Sequence, residues 1–447
     1  MPSFSDASGQ LEALLKKVRS LGASAADAIF IEQESLSVPY RLGRSEGLER
    51  AEVMDLGLRV FFGHRQAIVS TTDCSKASLE TLAERAVAMA RVVPEDPYCG
   101  LAEPEELAGS PPDLDLFDPA VPDVEQLMAQ ARQGEAAARA VSGVTNSEGA
   151  EAGWQRSHVT LLGTNGFSGS YAVTRHGLGV SVLAGSGTEM ERDYGSSSAH
   201  HGQDLEDPET VGRRAGERAV ARLHPRKVPS AAVPVVFEAR IAGGLLGHFA
   251  SAINGSAIAR GTSFLKDCLG ERVFSENVRI VDDPHRPRGL GSRPFDGEGV
   301  GNSRHDLVEN GILKSWLLDV RSARQLGLRS TGHAGRGISS PPSPGVTNLY
   351  LAPGDVSREA LLEAIDDGFY VTELIGMGVN GLTGDYSRGA AGFWIEKGEI
   401  AYPVSEITIA GNLRDMFCNL TAADDLEFRY GVNAPTLRVD GMMVAGV

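Results

Sequence analysis

The sequence predicts an α+β protein of two domains. Residues 1–229 form an N-terminal antiparallel sheet with helices, and 230–447 a strand-rich, barrel- or sandwich-like domain with helices. Three observations carry this prediction. Hairpin signals outnumber strand–helix–strand units, which favours antiparallel over doubly wound sheets. Asn165-Gly166 and Asn310-Gly311 each sit between apolar runs, the strongest short hairpin signal. The stretch "HPRKVPS" at 224–230 carries two prolines and breaks the chain near its middle.

The elements follow in order. Leu11, Leu14, Leu15, Val18 and Leu21 share one face of a first helix. "DAIFIEQ" is an apolar strand, and "GLERAEVMDLGLRVFFGHRQAIVSTTD" alternates as a meander turning near Gly63-His64. "SKASLETLAERAVAMARVV" is an amphipathic helix. The acidic, Pro-rich run 94–119 fits neither period and is expected as a long surface loop, before a helix at 122–142. Strands return over 157–195. "SSSAHHGQDLED" is expected as a solvated loop, with a helix at 208–223 beyond it. In the second half "AAVPVVFEA" is a strand leading into a helix in which His248 falls early. "RVFSENVRIVDD", "HDLVENGILKSWLLD", "TNLYLAP" and the run from 369 to 411 are expected as strands. Short helices are expected at "VRSARQLG", "SREALLEAIDDG" and 411–421, and the last strands at "LEFRYGV" and "TLRVDGMMVAG".

Composition excludes several classes. Lys and Arg total 42 against 59 Asp and Glu, a net charge of −17. Such a surface repels phosphate backbones and anionic lipid, so neither nucleic acid nor membrane is an expected partner. No apolar run approaches the roughly 18 residues of a membrane span. The first thirty residues show no basic stretch followed by an apolar one. The four cysteines (Cys74, Cys99, Cys268, Cys418) form no CxxC and are expected as buried or inert thiols in a reducing, cytoplasmic setting.

Candidate chemistry is sparse. "GMGVNG" matches GxGxxG after an apolar strand, but no helix follows to meet a pyrophosphate, so its glycines are expected to serve tight bends. Ser387 lacks a strand-to-helix elbow. His200 and His201 with Glu191 and Asp193 have the residue types for a metal but sit in the expected loop. Asp296 and Glu298 are two apart and on a strand would point the same way, yet the surrounding glycines argue for a turn in which Asp296 caps backbone N–H groups. His248 lies in "GGLLGHFASAINGSAIARGTSFL". A helical zinc site needs two imidazoles on one face, and Ser251, Ala252 and Ser256 cannot bind zinc.

Long stretches of the second half carry a resemblance: "GGLLGHFASAINGSAIARGTSFLKDCLGERVFSENVRIVDDP", "RPFDGEGV", "NGILKSWLLDVRSARQLG", "GDYSRGAAGFWIEKGEIAYPVSEITIAGNLRDMF" and "APTLRV". Together with "LGASAADAIF" and "GLRVFFGHRQAIVSTTD" in the first half, they are similar to the TldD/PmbA family. "GDYSRGAAGFWIE" and "SEITIAGNL" resemble its PmbA (TldE) branch. The resemblance implies a cytoplasmic zinc metallopeptidase of paired subunits acting on unstructured peptides. It also implies that the TldD branch carries HExxxH on the corresponding helix and a later Cys ligand. Aligned on Leu245-Leu246, that motif falls on Gly247, His248 and Ala252; aligned on 260–263 it falls on Leu246, Gly247 and Ser251. Neither register has a ligand pair, and Cys418 lies on the preceding helix. The family's older label, modulator of DNA gyrase, finds no support in the net charge.

The expectation is therefore a non-catalytic subunit without metal or catalytic residues of its own, zinc residing in a TldD-type partner. Gly-rich strands around 376–392 would line a peptide chamber. Tyr386, Arg388 and His248 are the candidate peptide contacts, Tyr386 for stacking and Arg388 for carboxylate capture. The alternative is a stand-alone homodimeric peptide binder without hydrolytic activity. A third reading is a hydrolase using His248 with Asp296 or Glu298.

Overall fold

Leucine spacing sets the first helix, and the helix covers a sheet. In the computed structural model, which describes residues 7–446, α1 (Ala7–Ser20) buries Leu11, Leu14, Leu15 and Val18 on one face. Residues 1–6 lie outside the described residues. Strands β1 (Ala25–Arg41), β2 (Arg44–Ser45), β3 (Glu49–Phe62) and β4 (Arg65–Thr71) precede helix α2 (Lys76–Val92). Helix α3 (Val124–Arg139), β5 (Val144–Gly163), β6 (Ser168–Ala184), β7 (Glu191–Ala199) and helix α4 (Pro208–Ala221) follow. The seven strands make one antiparallel sheet in the order β4-β3-β1-β5-β6-β7, with β2 beside β1. Helices α1 and α2 cover the β1–β3–β4 end, and α3 and α4 the β5–β6 end. The opposite face buries Ile29 and Leu161 with Phe167 and Phe295, the last from the second half of the chain. Both faces of β1 are thus covered, which is why Ala26 to Phe30 form a continuous buried run instead of alternating.

The second half begins with β8 (Ala231–Phe237), α5 (Ala239–Ala252) and α6 (Gly255–Ala259). A small sheet combines β9 (Ile280–Asp282), β10 (His305–Glu309), β11 (Ile312–Leu313), β14 (Leu349–Leu351) and β19 (Val432–Asn433). The ribbon β12 (Ala334–Gly335) with β13 (Ser343–Pro344) follows helix α7 (Val320–Leu326). After α8 (Arg358–Glu363) come β15 (Asp367–Ile375), β16 (Asp385–Glu396), β17 (Glu399–Asn412), α9 (Leu413–Cys418), β18 (Leu420–Ala422) and β20 (Leu437–Ala445). The order β17-β16-β15-β8-β20 closes on itself through pairing of β17 with β20, giving a barrel rather than a sandwich. Gly441, at φ +80°, sits in the β20 bulge between Val439 and Met442. The main core packs α5 (Leu245, Leu246, Phe249) against barrel residues including Phe237, Val371, Ile407 and Ile409. The Asn310-Gly311 turn has positive φ at both residues, as a two-residue hairpin of type I′ requires.

Several expectations are corrected. The run 94–119 is a strap between the halves: Cys99, Ala102, Leu114 and Leu116 are buried, and Asp96 and Glu103 pair with Arg321 (2.6 Å) and Arg324 (2.9 Å). Its apolar residues fill separate hollows, so no period shows. "SSSAHHGQDLED" begins as strand, because β7 runs to Ala199. Close packing against α4 sets the residues of β7: a Cβ on Gly195, just before this stretch, would lie 2.4 Å from the Val211 carbonyl oxygen. His200 and His201 are buried, with His200 Nδ1 2.6 Å from Thr174 O and Nε2 3.0 Å from Gly289 O. The predicted strand "LEFRYGV" is mostly irregular, joining β19 only at Val432, and the Asn433 side chain accepts from the Arg429 and Tyr430 backbone N–H groups. The helix expected at 411–421 shortens to α9, since β17 extends to Asn412. Cys418 is exposed, not buried.

Candidate functional site

Helix α5 positions the first candidate. It starts at Ala239, so His248 lies in its third turn, not early in the helix. The ring meets Tyr386 of β16 edge-on, centroids 5.9 Å apart and planes at 75°. Arg388, two residues along β16, projects to the same face as Tyr386. Burial and then the Arg388 charge hold the His248 imidazole below its ordinary value. Burial pushes the Tyr386 hydroxyl up to about 12, against the opposing pull of Arg388. The three predicted contacts are therefore assembled, though Tyr386 is only 1% exposed and belongs to the core. The Tyr386 hydroxyl and Arg388 Nε are buried without hydrogen-bond partners. A neutral imidazole, a neutral phenol and a guanidinium together suit an oxygen acceptor such as a carbonyl or carboxylate.

The glycine-rich run 376–384 overhangs this group as a loop. Gly376 and Gly384 adopt φ of +80° and +84°, and a Cβ on Gly378 would lie 1.9 Å from the Ser387 carbonyl oxygen. No helix follows, so these glycines serve bends and close approach to β16, as expected. Ile375, Met377 and Leu382 stand exposed there, Met377 by 90%.

The zinc that the resemblance implies does not fit this chain. Gly247 and Ala252 flank His248, and the Ser251 hydroxyl donates to Gly247 O at 2.9 Å. The nearest charged influence on the imidazole is a cation, Arg388, which opposes a metal ion. Among the described residues no group of three or more His, Cys, Asp or Glu could hold a metal.

Asp296 and Glu298 do not pair with His248, which corrects the hydrolase reading. As the turn reading expected, Asp296 Oδ1 accepts from the N–H groups of Glu298 (2.8 Å) and Val300 (2.9 Å), and Oδ2 from Ala334 N–H (3.1 Å). Glu298 crosses to the N-terminal sheet, accepting from Arg59 Nη1 at 3.2 Å. Arg59 also pairs with Asp27, which Arg336 holds from the other side at 2.8 Å. This four-residue network joins the two halves through almost fully buried charges.

Sequence reasoning missed that network and also an arginine-lined cleft where the halves meet. Five arginines (214, 218, 240, 358 and 429) reach the cleft from α4, α5, α8 and the 425–436 segment. Only Arg214 and Arg218, four apart on α4, gave a local signal.

An α+β chain that sets a helix-bearing barrel beside a seven-stranded sheet is the class defined here. Three family models match nearly its whole length: PmbA/TldA metallopeptidase domain 1 at 26–90, the central domain at 117–223 and the C-terminal domain at 230–446. The chain is 41% identical over 426 residues to the metalloprotease PmbA of Escherichia coli O157:H7, covering 94% of this chain and 92% of that one. A Bacteroides thetaiotaomicron structure named as a modulator of DNA gyrase superposes with a TM-score of 0.92 at 26% identity, all of both chains covered. TldE from Thermococcus kodakarensis shares the fold, with a TM-score of 0.87 at 21% identity over 98% of this chain and 100% of that one. The chain belongs to the PmbA/TldA metallopeptidase family.

Proposed function

We propose that this chain is a non-catalytic, TldE-type subunit that holds extended peptide beside a zinc-bearing, TldD-type partner in the cytoplasm. One observation carries the reading: the helix that the resemblance aligns with the TldD branch's ligand motif here presents a single imidazole, turned to Tyr386 and Arg388. Arg388 supplies a guanidinium for peptide oxygens, and the exposed 375–382 loop offers apolar surface next to it. Among the described residues no helix is long and apolar enough to cross a membrane.

Metal analysis and a peptide-cleavage assay, on the chain alone and co-expressed with a TldD-type partner, test the proposal. Zinc and chelator-sensitive cleavage are expected only with the partner. Stoichiometric zinc and cleavage by the chain alone overturn it.

A further inference from the structure

The arginine-lined cleft has a volume of about 290 Å³, at the small end of the range of ligand sites. Three of its arginines are committed. Arg214 forks onto Glu206 (2.7 and 3.2 Å), Arg240 onto Asp193 (2.5 and 3.3 Å), and Arg429 binds Glu206 and Glu427 (both 2.5 Å). Two are not. Arg218 makes one bond, from Nη2 to Glu238 Oε1 at 3.3 Å. Arg358 leans on Tyr370, 5.4 Å from the ring centroid and hydrogen-bonded to its hydroxyl, but it holds no carboxylate closer than Glu359 at 3.8 Å.

We propose that this cleft binds the terminal carboxylate of a peptide, gripped by the free donors of Arg218 and Arg358. The inference rests on the peptide-handling reading above. A guanidinium with unused N–H groups presents the planar fork that a carboxylate matches. Helix α5 opens into the same cleft at Ala239 and Arg240, and its N-cap, Glu238, makes no side-chain cap bond. Its positive end adds to the attraction. Arg218 is crowded by Arg240, and burial together with that crowding lowers its affinity for its own proton, so an arriving anion relieves it. Glu238, Asp425 and Glu427 also line the walls. They disfavour a doubly charged phosphate and leave a singly charged carboxylate as the matching ligand. Tyr430, 38% exposed, offers a ring face for the peptide's last side chain, while the Tyr194 ring is already covered on one side by Arg240.

Calorimetric titration of the full chain with Ala-Ala-Ala-Tyr, as free acid and as C-terminal amide, tests this. The acid should bind at least about tenfold more tightly, the scale of a charge-assisted pair. Arg358→Gln and Arg218→Gln should each shrink that ratio toward one, and Arg213→Gln, on the exposed side of α4, should leave it intact. If one cleft variant fails to fold, the other and the wild-type ratio decide. Equal binding of acid and amide overturns the cleft proposal while sparing the peptide reading, and binding of neither overturns both. Loss of the ratio in Arg388→Gln alone moves the carboxylate to the other site. Inorganic phosphate that competes as strongly as the acid overturns the assignment to a carboxylate.

Discussion

His248 shows how one side chain's meaning depends on its neighbours. Because burial and Arg388 disfavour its charged form, the imidazole should titrate below 6.5, and Arg388→Gln should raise its midpoint; histidine NMR titration reads both. An unshifted midpoint in the variant would remove Arg388 as a cause. Tyr386 carries a second prediction. Its hydroxyl is buried without a partner, a condition costing about 1–3 kcal/mol in typical proteins. Tyr386→Phe should therefore match or exceed the wild-type chain in urea denaturation. A loss above about 1 kcal/mol would mean that the hydroxyl has a partner in solution.

At the scale of elements, glycine separates two kinds of helix. Helices α3 and α4 approach so closely that a Cβ on Gly212 would lie 1.9 Å from the Gly134 carbonyl oxygen. Gly212→Ala should cost about 1–3 kcal/mol by overpacking. Gly244, exposed on α5 with nothing within 4 Å of an added Cβ, should instead gain about 0.5–1 kcal/mol as alanine. Equal effects of the two substitutions in chemical denaturation would contradict this packing. The elements themselves were legible where period and turn chemistry acted locally, as in α1, the Asn310-Gly311 hairpin and the bends of 376–384. They were illegible where a distant partner decided. The polar end of β7 reads as loop until α4 is laid upon it, and the strap 94–119 reads as surface until its apolar residues find hollows in both halves.

For the whole molecule, the Arg59–Asp27–Arg336–Glu298 network makes stability depend on pH. Burial, with Asp296 and Asp319 adding to it, raises the Glu298 carboxyl to about 7, despite Arg59. Native Glu298 then keeps a proton that the unfolded chain releases above 4.5. The associated stability is full below that value and is lost as pH rises through about 7. Asp27 behaves oppositely: its carboxyl is held below 3.8 by Arg336 and Arg59 against the cost of burial, so its contribution is lost only as acid protonates it. The Glu298 contribution to the thermal midpoint should fall between roughly pH 5 and pH 8, while histidines held low by burial, His248 among them, contribute in the opposite sense. Glu298→Gln, which keeps an oxygen for the Val320 N–H, should flatten that fall. A variant as steep as wild type would show that another group controls it.

Read alone, the amino-acid order determined the α+β class and the hairpins. It also determined the family resemblance and the lack of a ligand pair around His248, because each rests on spacing within a few turns or on long matching motifs. Tertiary structure alone decided that the second domain closes as a barrel. It also brought Tyr386 and Arg388 to His248, tied Glu298 to Arg59 and gathered five arginines from separate elements into one cleft. These are contacts between residues far apart in the chain, made when apolar faces pack, and no local period records them.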